Sequence, residues 1–307
     1  MLFRRARREF LARMGAMAAA TLASSLPGLA ALAPEAATDI HLGYAAITWG
    51  GNDRQAIEDI AALGFRGIQL RANCIQEFRS AAELRDLLAK HELEMVALSS
   101  GDLRIDPAVE SEEITKHVAN AKFLRDAGGV YLQVIDQRPR NRPITAMDYT
   151  RLGQLLTELG KRTADLGISL GYHNHMGSLG ERPEEIDQIM QAVDPRYAKL
   201  ELDVAHYFQG GGDPAMAIKK YHDRLLFLHI KDVERLPGKA AAKQSYRFVE
   251  LGQGQVDIPA IFNALHDVNF HGWAIVELDE VTDKTRMPKD SAAISKKYLE
   301  ARLKLKV

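Results

Sequence analysis

From Asp39 onward, short apolar runs alternate with longer segments in which apolar and polar residues recur at helical spacing. The apolar runs have the length of buried strands, and the segments between them have the period of a helix with one buried face. The predicted strands are 40–48, 65–71, 94–98, 130–134, 168–173, 197–202, 225–230 and 273–277. Strands that alternate with helices pair in parallel, and eight such pairs in a chain of this length predict an α/β fold, a closed (β/α)8 barrel.

Signals at the helix ends agree with this division of the chain. Ser80 is placed to cap the helix after the second strand, and Pro183 to occupy the first turn of a later helix. No Gly-x-Gly-x-x-Gly motif follows the first predicted strand, which disfavours a dinucleotide-binding sheet. A polar, lysine-rich loop is predicted over 234–255. We therefore interpret residues 38–307 as one TIM-barrel catalytic domain.

Four of the predicted strands carry a histidine or an acid at or near the C-terminal end. These residues are His173, Asp203, His229 and Glu277. In a parallel barrel, all C-terminal strand ends open onto one face, where active sites lie. Imidazole and carboxylate groups that converge from separate strands suit a divalent metal ion. We expect these four residues to bind one metal ion, and a mixed nitrogen and oxygen set favours Mn, Co or Zn.

Simpler interpretations exist for two of these ligands. Asp203 could cap the next helix, although Asp213-Pro214 serves a helix start better. His229 could be a hydrogen-bonded core histidine, but it is one of four similarly placed groups. A buried glutamate such as Glu277 is rare without a charge partner. The shared position at strand ends therefore favours metal binding.

Further residues at the same end of the barrel are predicted to take part in catalysis. His175 lies two residues after His173 and faces the same side of the strand. Either could be the ligand; His173 lies deeper and is preferred, which leaves His175 facing the substrate. His206 is expected to contact substrate or carry a proton, and Lys231 to stabilise an oxyanion. With Glu277, these residues form the predicted catalytic group.

Substrate-binding residues are also predicted at other strand ends. The full predicted set is Trp49, Gln69, Arg71, Gln133, His175, His206 and Lys231. An aromatic ring with several amide partners suits a polyhydroxylated ligand.

Composition excludes some classes of function. The 307 residues carry a formal net charge of −1, which argues against a nucleic-acid partner held by phosphate neutralisation. The single cysteine, Cys74, excludes an internal disulfide and a cysteine zinc cluster. A homo-oligomer is left open by these observations.

The first 37 residues have the organisation of an export signal. A basic start is followed by a short apolar run, Met14 to Leu26, which is too short to span a bilayer stably, and then by small residues. Arg7-Arg8-Glu9-Phe10-Leu11 resembles the twin-arginine motif. We expect residues 1–37 to direct export to the periplasm, with no stable membrane span after their removal.

At its strand ends the chain resembles the xylose-isomerase-like TIM-barrel superfamily of sugar isomerases and epimerases. The motifs that carry the resemblance are Tyr172-His-Asn-His-Met-Gly177, Leu202-Asp-Val-Ala-His206, Gly211-Gly-Asp-Pro214, His229-Ile-Lys-Asp232 and Val276-Glu277. The family pattern holds a metal ion with Glu, Asp, His and Glu from four strands. Asp203, His229 and Glu277 match the last three, whereas His173 stands where sugar epimerases place a glutamate that is also a catalytic base. The Tyr-His-Asn-His-Met-Gly form is similar to inosose dehydratases.

The resemblance implies a small sugar or cyclitol as substrate and proton abstraction next to its carbonyl, through an enediolate that a metal ion stabilises. A metal-dependent isomerase or epimerase is the first interpretation. A metal-dependent dehydratase or lyase acting on a keto-sugar, a 3-keto-glycoside or an inosose is the second. The third, from another class, is a non-catalytic exported carbohydrate-binding barrel. The isomerase, epimerase, dehydratase and lyase interpretations share the enediolate intermediate, so the metal ligands alone do not distinguish these reactions.

Overall fold

The computed structural model describes residues 39–236 and 245–307. The predicted export signal, residues 1–37, lies outside the described residues, as does part of the predicted loop at 234–255. Within the described residues, no helix combines the length and the apolar character that crossing a membrane requires.

Eight parallel strands close into a barrel, each paired with its neighbours in chain order. They are β1 Ile40–Ala45, β2 Gly67–Arg71, β3 Glu94–Arg104, β4 Tyr131–Gln137, β5 Ser169–His173, β6 Ala198–Asp203, β7 Leu225–Ile230 and β10 Gly272–Val276. This confirms the predicted α/β barrel.

Helices connect the strands on the outside. They are α1 Asp53–Ala62, α2 Cys74–Glu77, α3 Ala81–Lys90, α4 Glu110–Asp126, α5 Ala146–Ala164, α6 Pro183–Ala192, α7 Val204–Gln209, α8 Pro214–Lys220, α9 Ile258–Asp267 and α10 Pro288–Leu303. Ser80 caps α3 by accepting a hydrogen bond from the Glu83 N–H, as predicted. Pro183 is the first residue of α6, again as predicted.

Two regions differ from the sequence prediction. β3 continues to Arg104 instead of ending near Leu98, because a register shift against β4 between Ser99 and Asp102 lets pairing resume further along. Gly101, at φ 84°, lies within that shift. In addition, the predicted loop contains an antiparallel hairpin, β8 Asp232–Arg235 and β9 Tyr246–Val249.

The interior of the barrel is filled at its N-terminal end by apolar side chains. Trp273, Phe227 and Ile275 form this plug, with Tyr131 stacked on Phe227 at 5.1 Å. Gly67 is required there because a Cβ atom would collide with the Trp273 ring. The polar side chains of the candidate site lie at the opposite, C-terminal end of the barrel.

Candidate metal centre and active site

Three of the predicted metal ligands meet where β6, β7 and β10 end. Asp203 pairs in register with His229, and Glu277 directly follows β10. The Nδ1 atom of His229 lies 3.7 Å from Asp203 Oδ2 and 3.4 Å from Glu277 Oε1. All three side chains are buried, and their ligand atoms lie within 4.8 Å of one another. These are nitrogen and oxygen donors of the kind that divalent transition metals take.

Asp203 serves two structural purposes at once. Its Oδ1 atom accepts a hydrogen bond of 2.8 Å from the His206 N–H and so caps α7. Its Oδ2 atom is left to face His229 and Lys231. The helix-cap and ligand interpretations of this residue are therefore compatible, because each uses a different oxygen.

A buried network orients the His229 ring. Its Nε2 atom lies 2.8 Å from Glu201 Oε1 and 2.9 Å from Gln69 Oε1. Gln69 donates to Gln133, and Gln133 donates to Glu201, so the network closes on itself. A proton on Nε2 leaves Nδ1 as a bare lone pair turned toward the two carboxylates of the metal set. Carboxylates that hold metal-binding histidines in this way fix the tautomer and raise the basicity of the ring.

His173 adjoins the three converging ligands without forming a set with all of them. Its Nδ1 atom lies 3.5 Å from Glu201 Oε1, and its ring centre is 4.9 Å from that of His229. Among the residues that the structure describes, its nitrogens group with Glu201 and His229, and separately with His175 and His206. No such group in the described chain joins it to the two carboxylates of the metal set.

His175 and His206 lie with ring centres 3.8 Å apart but carry their protons on different nitrogens. His175 Nδ1 donates to the Met176 carbonyl at 2.7 Å, which leaves Nε2 as an acceptor. His206 Nδ1 accepts from the Met176 N–H at 3.3 Å, which places the proton on Nε2, 4.0 Å from Asp203 Oδ2. Burial lowers the pKa of both rings, that of His175 to about 4. Both are therefore neutral near pH 7, one as an acceptor and the other as a donor.

Lys231 is fully buried among carboxylates. Its Nζ atom lies 2.5 Å from Asp279 Oδ1, 3.0 Å from Glu277 Oε1 and 3.8 Å from Asp203 Oδ2, and 4.0 Å from the centre of the Phe248 ring. Burial lowers the pKa of this amine, but the three carboxylates raise it by more, so its pKa lies above the ordinary value. The ammonium is thus charged at neutral pH and holds Glu277 and Asp279 in place.

A cavity of about 320 Å³ opens at this end of the barrel. The predicted site residues that line it are Gln69, Arg71, Gln133, His173, His175 and Glu277. Lys231 and His206 are buried behind the lining residues. The cavity therefore presents His175, a predicted base, beside Glu277, a carboxylate of the metal set that also belongs to the predicted catalytic group.

Trp49 lies outside this cavity, in contrast to its predicted place in the substrate site. After β1 the chain forms a 3₁₀ turn, Ala46–Trp49. The indole Nε1 donates to Asp59 Oδ2 in α1 at 2.9 Å, and the ring packs edge-on against Tyr44 at 5.7 Å. The turn thus directs the indole toward α1, where it anchors that helix.

The buried polar atoms of the site fit a bound cation. Several make no hydrogen bond among the described residues: Asp203 Oδ2, His229 Nδ1, His173 Nδ1, His206 Nε2 and Glu201 Oε2. An unsatisfied buried polar atom costs about 1–3 kcal/mol. Burial lowers the pKa of His229, yet Glu277 and Glu201 raise it well above its ordinary value, so these carboxylates favour positive charge at that ring. A cation bound by Asp203, His229 and Glu277 would give Asp203 Oδ2 and His229 Nδ1 a partner. It would also supply the positive charge that the surrounding carboxylates favour.

Two residues of the site were missed by the sequence analysis. Glu201 is completely buried and holds His229, and Asp279 pairs with Lys231 on the cavity wall. A signal for Glu201 was present, because residues two apart on a strand face the same side and Asp203 was already placed inside. Asp279 follows the end of β10, and no strand period applies there.

Comparisons with known proteins agree with the fold. Residues 57–301 match the sequence profile of a family described as xylose isomerase-like TIM barrel. An inosose dehydratase from Lacticaseibacillus casei is 26% identical over 300 residues, covering 87% of this chain and 98% of that protein. Among solved structures, the IolI protein with a binding zinc atom superposes with a TM-score of 0.73, at 20% identity, covering 85% of this chain and 97% of that one. The probable 3-DHS dehydratase AsbF from Bacillus anthracis superposes with a TM-score of 0.69, at 17% identity, covering 85% and 99%.

The two structural matches are too distant in sequence to show more than the fold. The family profile extends from α1 into α10 and so includes every strand from β2 to β10. On that match, the chain belongs to the xylose isomerase-like TIM barrel family.

Proposed function

We propose that this protein is a metal-dependent dehydratase that acts on an inosose or a related keto-sugar. The observation that carries the proposal is the convergence of Asp203, His229 and Glu277 beside a cavity that presents His175 as a proton acceptor. The inosose dehydratase homologue supports loss of water as the reaction. The cavity, about 320 Å³, has the size of a small-ligand site.

Asp203, His229 and Glu277 would hold the metal ion, with His173 adjacent as a further nitrogen donor. A divalent metal supplies Lewis-acid stabilisation for a carbonyl oxygen that gains negative charge. We propose Mn, Co or Zn, because these ions bind well to a mixed set of two carboxylates and an imidazole and are less suited to a site with oxygen ligands only.

His175 is the proposed base. The bond from its Nδ1–H to Met176 directs the lone pair of Nε2 for proton removal. It takes the proton from the carbon next to the carbonyl, and the C–H electron pair forms an enolate. The enolate then expels the hydroxyl from the following carbon, which takes the proton from His175 and leaves as water. The substrate loses one water and His175 returns to its starting state.

Isomerisation or epimerisation is the second candidate, since it shares the proton-removal step. Two proton carriers of different chemistry, His175 and Glu277, line the same cavity. Either could return the proton to a different carbon or face, and the product would then keep the mass of the substrate.

Product mass separates these reactions. We would incubate the metal-loaded protein with 2-keto-myo-inositol and with free ketoses and analyse the products by mass spectrometry. The proposal predicts a product lighter by one water, and turnover at least about 100-fold lower in His175→Asn at unchanged metal content. Products of unchanged mass would favour the isomerase. Binding of sugar without any turnover would favour a carbohydrate-binding barrel.

We also propose that residues 1–37 export the protein, on the basis of the twin-arginine-like start. Cell fractionation with Arg7→Lys/Arg8→Lys tests this. Loss of the protein from the periplasmic fraction supports export, and equal distribution of variant and wild type contradicts it.

A further inference from the structure

A second cavity, of about 570 Å³, lies beyond the first along the same two strands. Asp102 and Ile135 line the first cavity and pair in register; Arg104 and Gln137, two residues further on, pair in register and line the second. Two residues advance a strand by about 6.8 Å, which is close to the width of one sugar ring. The intervening Leu103 is buried in the core on the other side of the strand. The two cavities are therefore consecutive along β3 and β4.

Arginines dominate the wall of this second cavity, which we call the arginine cavity. They are Arg104, Arg138, Arg140 and Arg142, accompanied by the amides of Gln137 and Asn141. The volume is within the range of small-ligand sites. Guanidinium and amide groups offer many hydrogen-bond donors, and the amides also accept.

Three of the guanidinium groups are fixed by carboxylates. Arg104 Nε lies 2.6 Å from Glu113 Oε1, Arg138 Nη2 lies 3.3 Å from Glu185 Oε1, and Arg142 makes two bonds to Asp148, of 2.5 and 2.9 Å. A planar guanidinium group that is hydrogen-bonded to a carboxylate on one side keeps its remaining N–H groups in a defined direction. The donors are therefore preorganised before a ligand arrives, which lowers the entropy that binding costs.

The charge balance indicates the class of ligand. The basic groups here are the four arginines and Lys116, which shares Glu113 with Arg104, and five carboxylates balance them: Glu112, Glu113, Glu185, Asp148 and Asp106. Arg140 alone of the four forms no ion pair within the described residues. Such a wall lacks the surplus positive charge that favours phosphate or sulfate. Its paired donors and acceptors suit neutral hydroxyl groups instead.

We propose that the arginine cavity binds the second, neutral sugar ring of a glycoside whose keto-sugar ring lies at the histidine–carboxylate centre. This inference rests on the proposed function: it keeps the proton removal by His175 and has the glycosidic oxygen of a keto-disaccharide, in place of a hydroxyl, as the leaving group. The proton next to the carbonyl leaves with His175, its electron pair becomes a C=C bond, and the glycosidic C–O bond breaks. The second sugar departs as an alcohol with that proton, so the products are an unsaturated keto-sugar and a free sugar.

The variant Arg140→Ala/Asn141→Ala tests the inference, since both residues are exposed and make no ion pair in the described chain. Arg162→Ala, an exposed arginine in the last turn of α5 at the other end of the barrel, is the matched control. Metal-loaded enzymes are compared on a 3-keto-disaccharide and on the corresponding methyl 3-keto-glucoside. For the disaccharide, we expect kcat/KM to fall at least tenfold in the double variant, mainly through a higher KM, and to stay unchanged in Arg162→Ala. For the methyl glycoside, kcat/KM of the double variant should change less than twofold. Equal losses on both substrates would overturn the inference.

Calorimetric titration with cellobiose and with inorganic phosphate separates this inference from the proposed function, since it needs no turnover. Binding of cellobiose that is lost in the double variant and kept in Arg162→Ala supports the arginine cavity, even if no keto-sugar is converted. Dehydration of an inosose without conversion of the keto-disaccharide and without cellobiose binding would refute the cavity while leaving the dehydratase intact. Phosphate binding that is stronger than cellobiose binding would also refute it.

Discussion

At the scale of single residues, the tautomer of His229 decides whether the site can bind a metal ion. Glu201 Oε1, 2.8 Å from Nε2, keeps the proton on that nitrogen and leaves Nδ1 for the metal. Glu201 itself contributes no atom to the group formed by Asp203, His229 and Glu277. For a metal ion bound by that group, Glu201 acts through the histidine.

Replacing Glu201 by Gln should weaken metal binding without unfolding the barrel. The amide has the same shape, but it removes the negative charge that supports the His229 proton, so we expect a 10–100-fold loss of metal affinity. Competition with a chromophoric chelator measures it. Glu94→Gln, at the exposed first residue of β3, is the control and should bind like wild type. Equal affinity of Glu201→Gln and wild type would contradict this role.

A second buried histidine makes stability depend on pH. His117 is completely buried; its Nδ1 contacts Ser100 Oγ at 2.5 Å and its Nε2 lies 3.4 Å from Glu113 Oε2. Burial and Lys116 lower its pKa to about 4. Between about pH 6.5 and 4 the unfolded state then binds more protons than the folded state, so stability falls as pH falls through this window.

The loss assigned to His117 is on the order of 3 kcal/mol once the pH is below both pKa values. Urea unfolding of wild type and His117→Asn at pH 7 and pH 4.5 measures it. The variant should be less stable at pH 7 but should lose less stability on acidification. Identical pH dependence in both proteins would show that His117 does not carry the effect.

The site residues that could be predicted from the sequence are those at the ends of strands. Asp203, His229 and Glu277 were found because each ends an apolar run, and the structure brings them together. Glu201 was missed because it lies inside such a run, although the two-residue period of a strand puts its side chain on the same face as that of Asp203. The position of Trp49 depends on a 3₁₀ turn and a bond to Asp59, which no pattern of apolar residues reveals.

At the scale of elements, one carboxylate connects the start of β8 to residues 252–256, just before α9. Asp232 accepts hydrogen bonds from the N–H groups of Val233, Gly252, Gly254 and Val256, at 2.9 to 3.0 Å. A Cβ on Gly254 would collide with this carboxylate, which explains the glycine. Asp232 directly follows Lys231, so the same anchor positions the buried lysine.

Asp232→Ala leaves four backbone N–H groups without their acceptor, so we expect a loss of at least about 3 kcal/mol in the free energy of unfolding. Asp257→Ala is the comparison, because it removes a single bond, to Ala260 N–H at the start of α9. That change should cost about 1 kcal/mol. Urea denaturation gives both values, and equal losses would contradict the anchoring role.

The element order could be predicted because helix and strand periods differ, and the ends of β7 were predicted to the residue. The extension of β3 could not, since it requires pairing to resume across a register shift. The β8–β9 hairpin was also missed, because its polar and charged residues do not have the alternation of a half-buried strand.

At the scale of the whole molecule, the protein is an enzyme of the xylose isomerase-like family in which an apolar plug closes one end of the barrel and polar residues occupy the other. The predicted barrel placed the four strand ends on one face, and closure of the sheet brought three of the predicted ligands within 4.8 Å. The second cavity along β3 and β4 could not be predicted, since it depends on the extension of β3.

The most direct test of the account is the metal content of the purified protein after loading with Mn, Co or Zn and removal of free ions, measured by elemental mass spectrometry. The account predicts one ion per chain in the wild type and less than a tenth of that in Asp203→Asn/Glu277→Gln, with both proteins folded. A wild type that retains no ion and dehydrates an inosose in the presence of chelator would contradict it.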